Sequence, residues 1–140
     1  MMERKQFLKN LVINGSMVFV LPSLVLKACE KEGPNGLPTE GFELDLNDSS
    51  YVALSETGGY VILEEYGIII IRTGETEYVA LSSICTHQGC TIGYNPSSNI
   101  LPCPCHGSIF DIDGSVLSGP APTPLKIYET TLLENILIIN

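Results

Sequence analysis

Cys85-Thr86-His87-Gln88-Gly89-Cys90 and Cys103-Pro104-Cys105-His106-Gly107-Ser108 are the two runs on which the reading of this chain turns. Together they hold both histidines and four of the five cysteines of the protein. The first contains Cys85-x-His87 and the second Cys103-x-x-His106, and the 15 residues from Gln88 to Pro102 separate the two pieces. Each piece can present one thiolate and one imidazole from a short loop. Two sulfurs and two nitrogens delivered by two loops suit a tetrahedral zinc, and equally a 2Fe-2S cluster whose irons carry unlike ligands. Zinc would take Cys85, His87, Cys103 and His106 and leave Cys90 and Cys105 without a role. Ligand softness alone permits either metal.

The pattern Cys-Thr-His-x-Gly-Cys followed by Cys-Pro-Cys-His-Gly-Ser resembles the Rieske iron–sulfur family, and Gly119-Pro120-Ala121-Pro122 is similar to that family's proline loop. The resemblance implies one [2Fe-2S] cluster, with Cys85 and Cys103 on a buried iron and His87 and His106 on the outer one. It implies a disulfide between the two surplus cysteines, Cys90 and Cys105, which ties the ligand loops together. Neutral imidazoles in place of two thiolates make reduction easier, and such centres span about −150 to +300 mV against about −400 mV for plant-type ferredoxins. Imidazole nitrogens that reach the surface would couple electron uptake to proton uptake, as quinol oxidation requires. Ser108 occupies the position from which high-potential members hydrogen-bond a bridging sulfide. Phe110 stands where those members carry a tyrosine that bonds a ligand sulfur. One of two potential-raising bonds is thus kept, which implies a potential between the ferredoxin-type and the highest quinol-oxidising members. Gln88 stands where quinol-oxidising relatives carry leucine.

The strand pattern agrees with an all-β fold. Phe42 to Leu46 alternates apolar and acidic residues, the mark of a strand with one solvated face. Tyr51–Leu54, Tyr60–Leu63, Ile68–Ile71 and Tyr78–Ser82 follow, punctuated by Gly58-Gly59, Gly67 and Gly74. Ile68-Ile69-Ile70-Ile71 is apolar throughout, as expected of a central strand buried on both faces. Ile109–Asp111 and Val116-Leu117 flank the turn signal Asp113-Gly114. Leu125–Leu133 and Ile136–Ile139 close the sheet, and no window after residue 30 predicts an amphipathic helix. The expected architecture is a Rieske-like antiparallel β-sandwich or barrel over residues 40–140. A small cluster-binding subdomain, with its loops at about 83–124, is inserted in the base sheet.

The ends of the chain differ in charge. The whole protein carries a formal −9, but from Glu30 onward three Lys/Arg face fifteen Asp/Glu, a balance of −12. Such a surface repels nucleic acid and favours a basic docking partner, for instance a basic cytochrome. Residues 1–29 read as an export segment. Arg4, Lys5 and Lys9 precede an almost charge-free run, Leu11 to Leu26, which is shorter than the roughly 17–25 residues of a membrane span. Arg4-Lys5-Gln6-Phe7-Leu8-Lys9 resembles a twin-arginine signal with lysine in the second basic position. Leu26-Lys27-Ala28-Cys29 is similar to a bacterial lipobox, so Cys29, the odd cysteine, is the expected lipidation site, with an uncleaved anchor as the alternative. Residues 30–39 form a tether rich in Gly, Pro and charge. Either anchor puts the domain on the outer face of a bacterial membrane.

No catalytic nucleophile or acid–base pair stands apart from the ligand runs, so any enzyme activity is expected to belong to a complex. The expected function is electron transfer as the iron–sulfur subunit of a quinol–cytochrome c type oxidoreductase. The alternatives are a stand-alone exported electron carrier or the small Rieske subunit of another periplasmic oxidoreductase, such as arsenite-oxidase-like enzymes. Behind them stand a Rieske ferredoxin serving an aromatic-ring oxygenase and a lipoprotein whose centre senses redox state or only stabilises the fold.

Overall fold

The computed structural model describes residues 41–140. The expected export segment, Cys29 and the tether at 30–39 lie outside the described residues. Among the described residues ten strands form three antiparallel sheets. They are β1 (Phe42–Asp45), β2 (Tyr60–Leu63), β3 (Ile68–Arg72), β4 (Tyr78–Ser82), β5 (Ile100–Pro102), β6 (Ile109–Asp111), β7 (Val116–Ser118), β8 (Ile127–Tyr128), β9 (Thr130–Leu133) and β10 (Ile136–Ile139). The sheet orders are β1-β10-β9, β2-β3-β4-β8 and β5-β6-β7.

The isoleucine run explains how the sheets stack. Side chains alternate across a strand, and all four of these isoleucines are fully buried. Ile68 and Ile70 enter one core with Leu44, Leu54, Tyr78, Ala80, Tyr128, Leu137 and Ile139. That core lies between the three-stranded sheet β1-β10-β9 and the four-stranded sheet, and together they make the base sandwich. Ile69 and Ile71 enter a second core with Leu81, Cys85, Ile92, Leu101, Cys103, Phe110 and Leu125. This second core joins the four-stranded sheet to the segment between β4 and β8, which carries the third sheet. The segment is an insertion closed at its base, where β4 pairs β8 with Ala80 opposite Tyr128 and Leu81 opposite Ile127. The Ser82 amide completes the closure by donating to the Lys126 carbonyl at 2.8 Å.

Three elements differ from the pattern expected from sequence. Tyr51–Leu54 is not a strand but part of a 3-10 helix, Ser49–Ser55. The Asp48 side chain accepts from the Ser50 amide at 2.8 Å and so caps the helix. A strand would place Val52 and Leu54 on one face, yet Val52 is 68% exposed and Leu54 is 2% exposed. The tight turn puts Tyr51 and Leu54, three residues apart, toward the core instead. Arg72 terminates it, donating from Nη1 to the carbonyls of Leu54 and Ser55, while Nε and Nη2 bond the Gly74 and Glu75 carbonyls. Leu125–Leu133 is broken in two. β8 belongs to the four-stranded sheet and β9 to the three-stranded one, and Glu129 makes the crossing paired with Asn140. The Thr130 hydroxyl fixes that crossing by donating to the Tyr78 carbonyl at 2.8 Å. Ile100–Pro102, without a strand pattern, forms the edge strand β5, a position that tolerates proline.

Ile69→Ala and Ile70→Ala delete side chains on opposite faces of β3. Each is expected to lower the unfolding free energy by about 2–5 kcal/mol, measured by guanidinium denaturation of the purified protein. A loss confined to one of the two would show that only one core supports the strand.

Candidate metal centre

The two loops share one hydrogen-bonded frame. In the first, the Cys85 amide donates to the Cys90 carbonyl at 2.8 Å and the Gly89 amide to the Cys85 carbonyl at 2.9 Å. In the second, the Cys103 amide donates to the Ser108 carbonyl at 2.7 Å and the Gly107 amide to the Cys103 carbonyl at 3.2 Å. Gly89 and Gly107 hold the same place in both frames with φ of 74° and 73°, a conformation that disfavours any side chain. Antiparallel pairing launches both loops, Ile84 opposite Thr91 and Pro102 opposite Ile109. The frames match position for position, but the histidines do not. His87 is third in its loop and His106 fourth in the other, whose third residue is Cys105. That offset brings Cys105 to Cys90, the sixth residue of the first loop, and the two form a disulfide.

The donors separate into two pairs. Cys85 and Cys103 are free thiols, 2% and 3% exposed, inside the second core. Burial pushes the Cys103 thiol up, but the Cys85 thiol and the Cys105 and His106 amides, all bonded to its sulfur, outweigh that and hold it below its ordinary value. For Cys103 that lowering is in the direction of the thiolate, the form that binds metal. The rings of His87 and His106 meet edge to face with centroids 4.7 Å apart. His106 is exposed and His87 half-buried. His87 Nδ1 is buried without a hydrogen-bond partner, the condition of a nitrogen whose partner is a metal. A sulfur pair in the core beside an imidazole pair toward the surface fits a two-iron centre with one pair per metal better than one tetrahedral zinc.

A third loop ties the other two together. Ser108 is fully buried, and its Oγ accepts from the Ala121 amide at 3.1 Å. The Thr86 hydroxyl donates to the Thr123 carbonyl at 2.7 Å. The proline-rich segment therefore holds one ligand loop at Ala121 and the other at Thr123. The approach is close enough that a Cβ on Gly119 would lie 2.5 Å from the Ser108 Cα, so no other residue fits there. Phe110 is fully buried in the same core as both free thiols and brings no polar atom to it.

Charge is distributed away from this end of the domain. No Asp, Glu, Lys or Arg occurs from Tyr78 to Phe110 or from Gly114 to Leu125. The ligand loops and the proline loop are therefore uncharged, and the carboxylates lie on the base sandwich and at Asp111 and Asp113. Of the two cations among the described residues, Arg72 is engaged with backbone carbonyls. Lys126 stacks over Tyr128 at 4.4 Å and lines a cleft of about 340 Å³ with Tyr66, Ile84, Cys85 and Pro124. A second unpartnered buried atom lies in the same stretch, the Ser83 hydroxyl. Sequence reasoning passed over Ser83. Its one signal is parity, two residues before Cys85 and two after Leu81 on the inward side of β4.

Residues 44–129 match the Rieske [2Fe-2S] domain family. The chain is 42% identical over 73 residues to the cytochrome b6-f complex iron-sulfur subunit 3 of Nostoc sp., a match covering 51% of this chain and 41% of that protein. It is 27% identical over 146 aligned positions to the cytochrome b6-f complex iron-sulfur subunit of Synechococcus elongatus, covering 96% of this chain and 81% of that one. A chain of the solved structure described as "Hyperthermophilic respiratory Complex III" is similar with a TM-score of 0.55 and 26% identity, over 96% of this chain and 90% of that chain. The match spans less than half the length of the Nostoc protein.

Replacing Cys90 and Cys105 together by serine opens a cross-link between residues 15 apart. The expected cost is about 3 kcal/mol of unfolding free energy, the scale for closing a loop of that length. Chemical denaturation under non-reducing conditions measures it, and an unchanged midpoint would mean that the three-loop hydrogen bonding alone holds the loops.

Proposed function

This chain belongs to the Rieske [2Fe-2S] domain family, and from that premise we propose that it relays electrons on the outer side of a bacterial membrane as the iron–sulfur subunit of a quinol–cytochrome c type oxidoreductase. The observation that carries the reading is the separation of four donors into a buried thiol pair and an outward imidazole pair on two matched loops. Cys85 and Cys103 would hold one iron through sulfur, and His87 and His106 would hold the other, His87 through the Nδ1 that is buried without a hydrogen-bond partner. When bound, the cluster supplies one-electron exchange in the range that imidazole ligation sets, about −150 to +300 mV.

The protein's own groups set how that exchange is used. His106, exposed at the tip, can meet a partner there. The proline loop, fastened at Ala121 and Thr123, keeps water from the sulfurs. Ser108 Oγ accepts one bond and keeps its own hydrogen to donate toward a sulfur, while Phe110 has none to give. The potential accordingly lies above the ferredoxin-type members and below the highest quinol-oxidising ones. The uncharged tip suits docking on a neutral, partly apolar surface of a membrane complex. The acidic base is left to favour a basic partner such as a cytochrome and to repel nucleic acid.

A polar Gln88, exposed beside His87, favours a second reading. The protein would then be a stand-alone exported carrier, or the small subunit of another periplasmic oxidoreductase of the arsenite-oxidase-like kind. The disulfide argues against a cytosolic ferredoxin role, because cytosolic thiols are kept reduced. Among the described residues no helix is long and apolar enough to cross a membrane. Attachment is assigned to residues 1–29, by lipid on Cys29 or by the hydrophobic segment itself, with 30–39 as tether and 40–140 as the Rieske domain.

Two measurements test this. An EPR-monitored redox titration at several pH values is expected to give a rhombic signal of low average g at a positive, pH-dependent potential. A clearly negative potential would exclude the quinol-oxidising role, and His106→Ala retaining the unaltered signal would overturn the ligand assignment. Mass spectrometry of the protein from membranes is expected to show a chain beginning at a lipid-modified Cys29. An unmodified Cys29 in a chain still starting at Met1 would remove the lipid anchor.

A further inference from the structure

Ser83 and Ser108 are the two buried polar residues among the described ones, at 1% and 0% exposure. Ser108 is accounted for by the Ala121 amide. Ser83 is not. Its backbone is fully engaged, the amide donating to the Gly67 carbonyl and the carbonyl accepting from the Ile92 amide, both at 2.8 Å. Its hydroxyl has no partner, although a buried hydroxyl left bare is costly and rare in a folded protein.

The surroundings narrow what it can serve. Ser82 and Ile84, on either side of it, are half-buried and exposed, so they face outward. Leu81 and Cys85, two residues before and after it, lie in the second core. Alternation therefore turns Ser83 inward with them. Apart from the sulfurs of Cys85 and Cys103 and the Tyr94 hydroxyl, which already bonds Asn99, the side chains of that core are hydrocarbon. In the metal-free chain the Cys85 thiol is bonded to Cys103. Once both cysteines act as ligands they have lost their protons, and their sulfurs become acceptors in the core that Ser83 faces.

We infer that Ser83 donates a hydrogen bond to a sulfur of the loaded centre and is a residue that raises its reduction potential. The inference rests on the ligand assignment above. The hydroxyl keeps its proton throughout. It stabilises the more negative, reduced form more than the oxidised one, and so favours electron uptake. It supplies from the first ligand strand a donor that Phe110 does not.

The test is a redox titration of the full-length, cluster-loaded protein beside Ser83→Ala and Ser83→Thr. Ser83→Ala is expected to keep the g values and visible spectrum while its reduction equilibrium constant falls about tenfold, a shift of about 59 mV for one electron. Ser83→Thr, which retains the hydroxyl, is expected to stay close to the parent. Ser83→Ala titrating with the parent, its spectrum intact, would overturn the inference and leave the ligand assignment standing. His106→Ala with an unaltered signal would strike the ligand assignment itself. A second readout needs no substitution. After exchange into D2O, pulsed EPR of the reduced parent is expected to show a hydroxyl deuteron coupled to the cluster beyond the one from Ser108, identified against Ser108→Ala. No exchangeable hydroxyl coupling remaining in Ser108→Ala would also overturn it.

Discussion

Burial of β3 on both faces is the constraint from which the domain is built. A strand of four isoleucines has no side that can face water, so each face must be covered by a separate layer. The three-stranded sheet with the 3-10 helix covers Ile68 and Ile70. The inserted segment covers Ile69 and Ile71, and it can do so only by folding its own apolar residues, Ile92, Leu101, Phe110 and Leu125, back onto the sheet. The free thiols are part of that same packing. The thiol donors are thus attached to the strongest hydrophobic element the domain has, packed into its core.

Rigidity at the tip comes from cross-bracing more than from strands, which are only two to five residues long throughout. Two loops of identical hydrogen-bond frame are joined by one disulfide and by a third loop bonded to each. The disulfide needs the shift of one position between the loops. Had both histidines been third in their frames, Cys105 could not have faced Cys90. The asymmetry also gives the imidazoles different surroundings, with His106 in solvent and His87 half-covered.

Much of this was legible in the residues because the responsible signals are local. The isoleucine run, the Asp113-Gly114 turn and the cysteine–histidine spacing each carry their meaning within a few positions. What was misread depends on distant partners. Tyr51–Leu54 has strand-forming residues, but Asp48 caps it and Arg72, eighteen residues beyond Leu54, holds its final carbonyls. The break within Leu125–Leu133 follows from Glu129 meeting Asn140 at the far end of the chain. Nothing near Thr86 announces Thr123, and a serine two residues before a cysteine gives no sign that its hydroxyl will be sealed from water. The acidity was visible as a total. Its absence from the tip became meaningful only once the loops were seen together.

The closure at the foot of the inserted segment has a consequence for how such a domain can change over time. Ser82 and Lys126 are neighbours through a hydrogen bond, so the chain leaves the base sandwich and returns to it at one place. To the sandwich, everything between them is a single elaborate turn. Residues can be added or removed there without moving β4 against β8, since lengthening a closed excursion costs little entropy once its ends are fixed. The base can therefore stay fixed while the outer part is resized, and the loop-bearing end behaves as a replaceable head on a fixed mount.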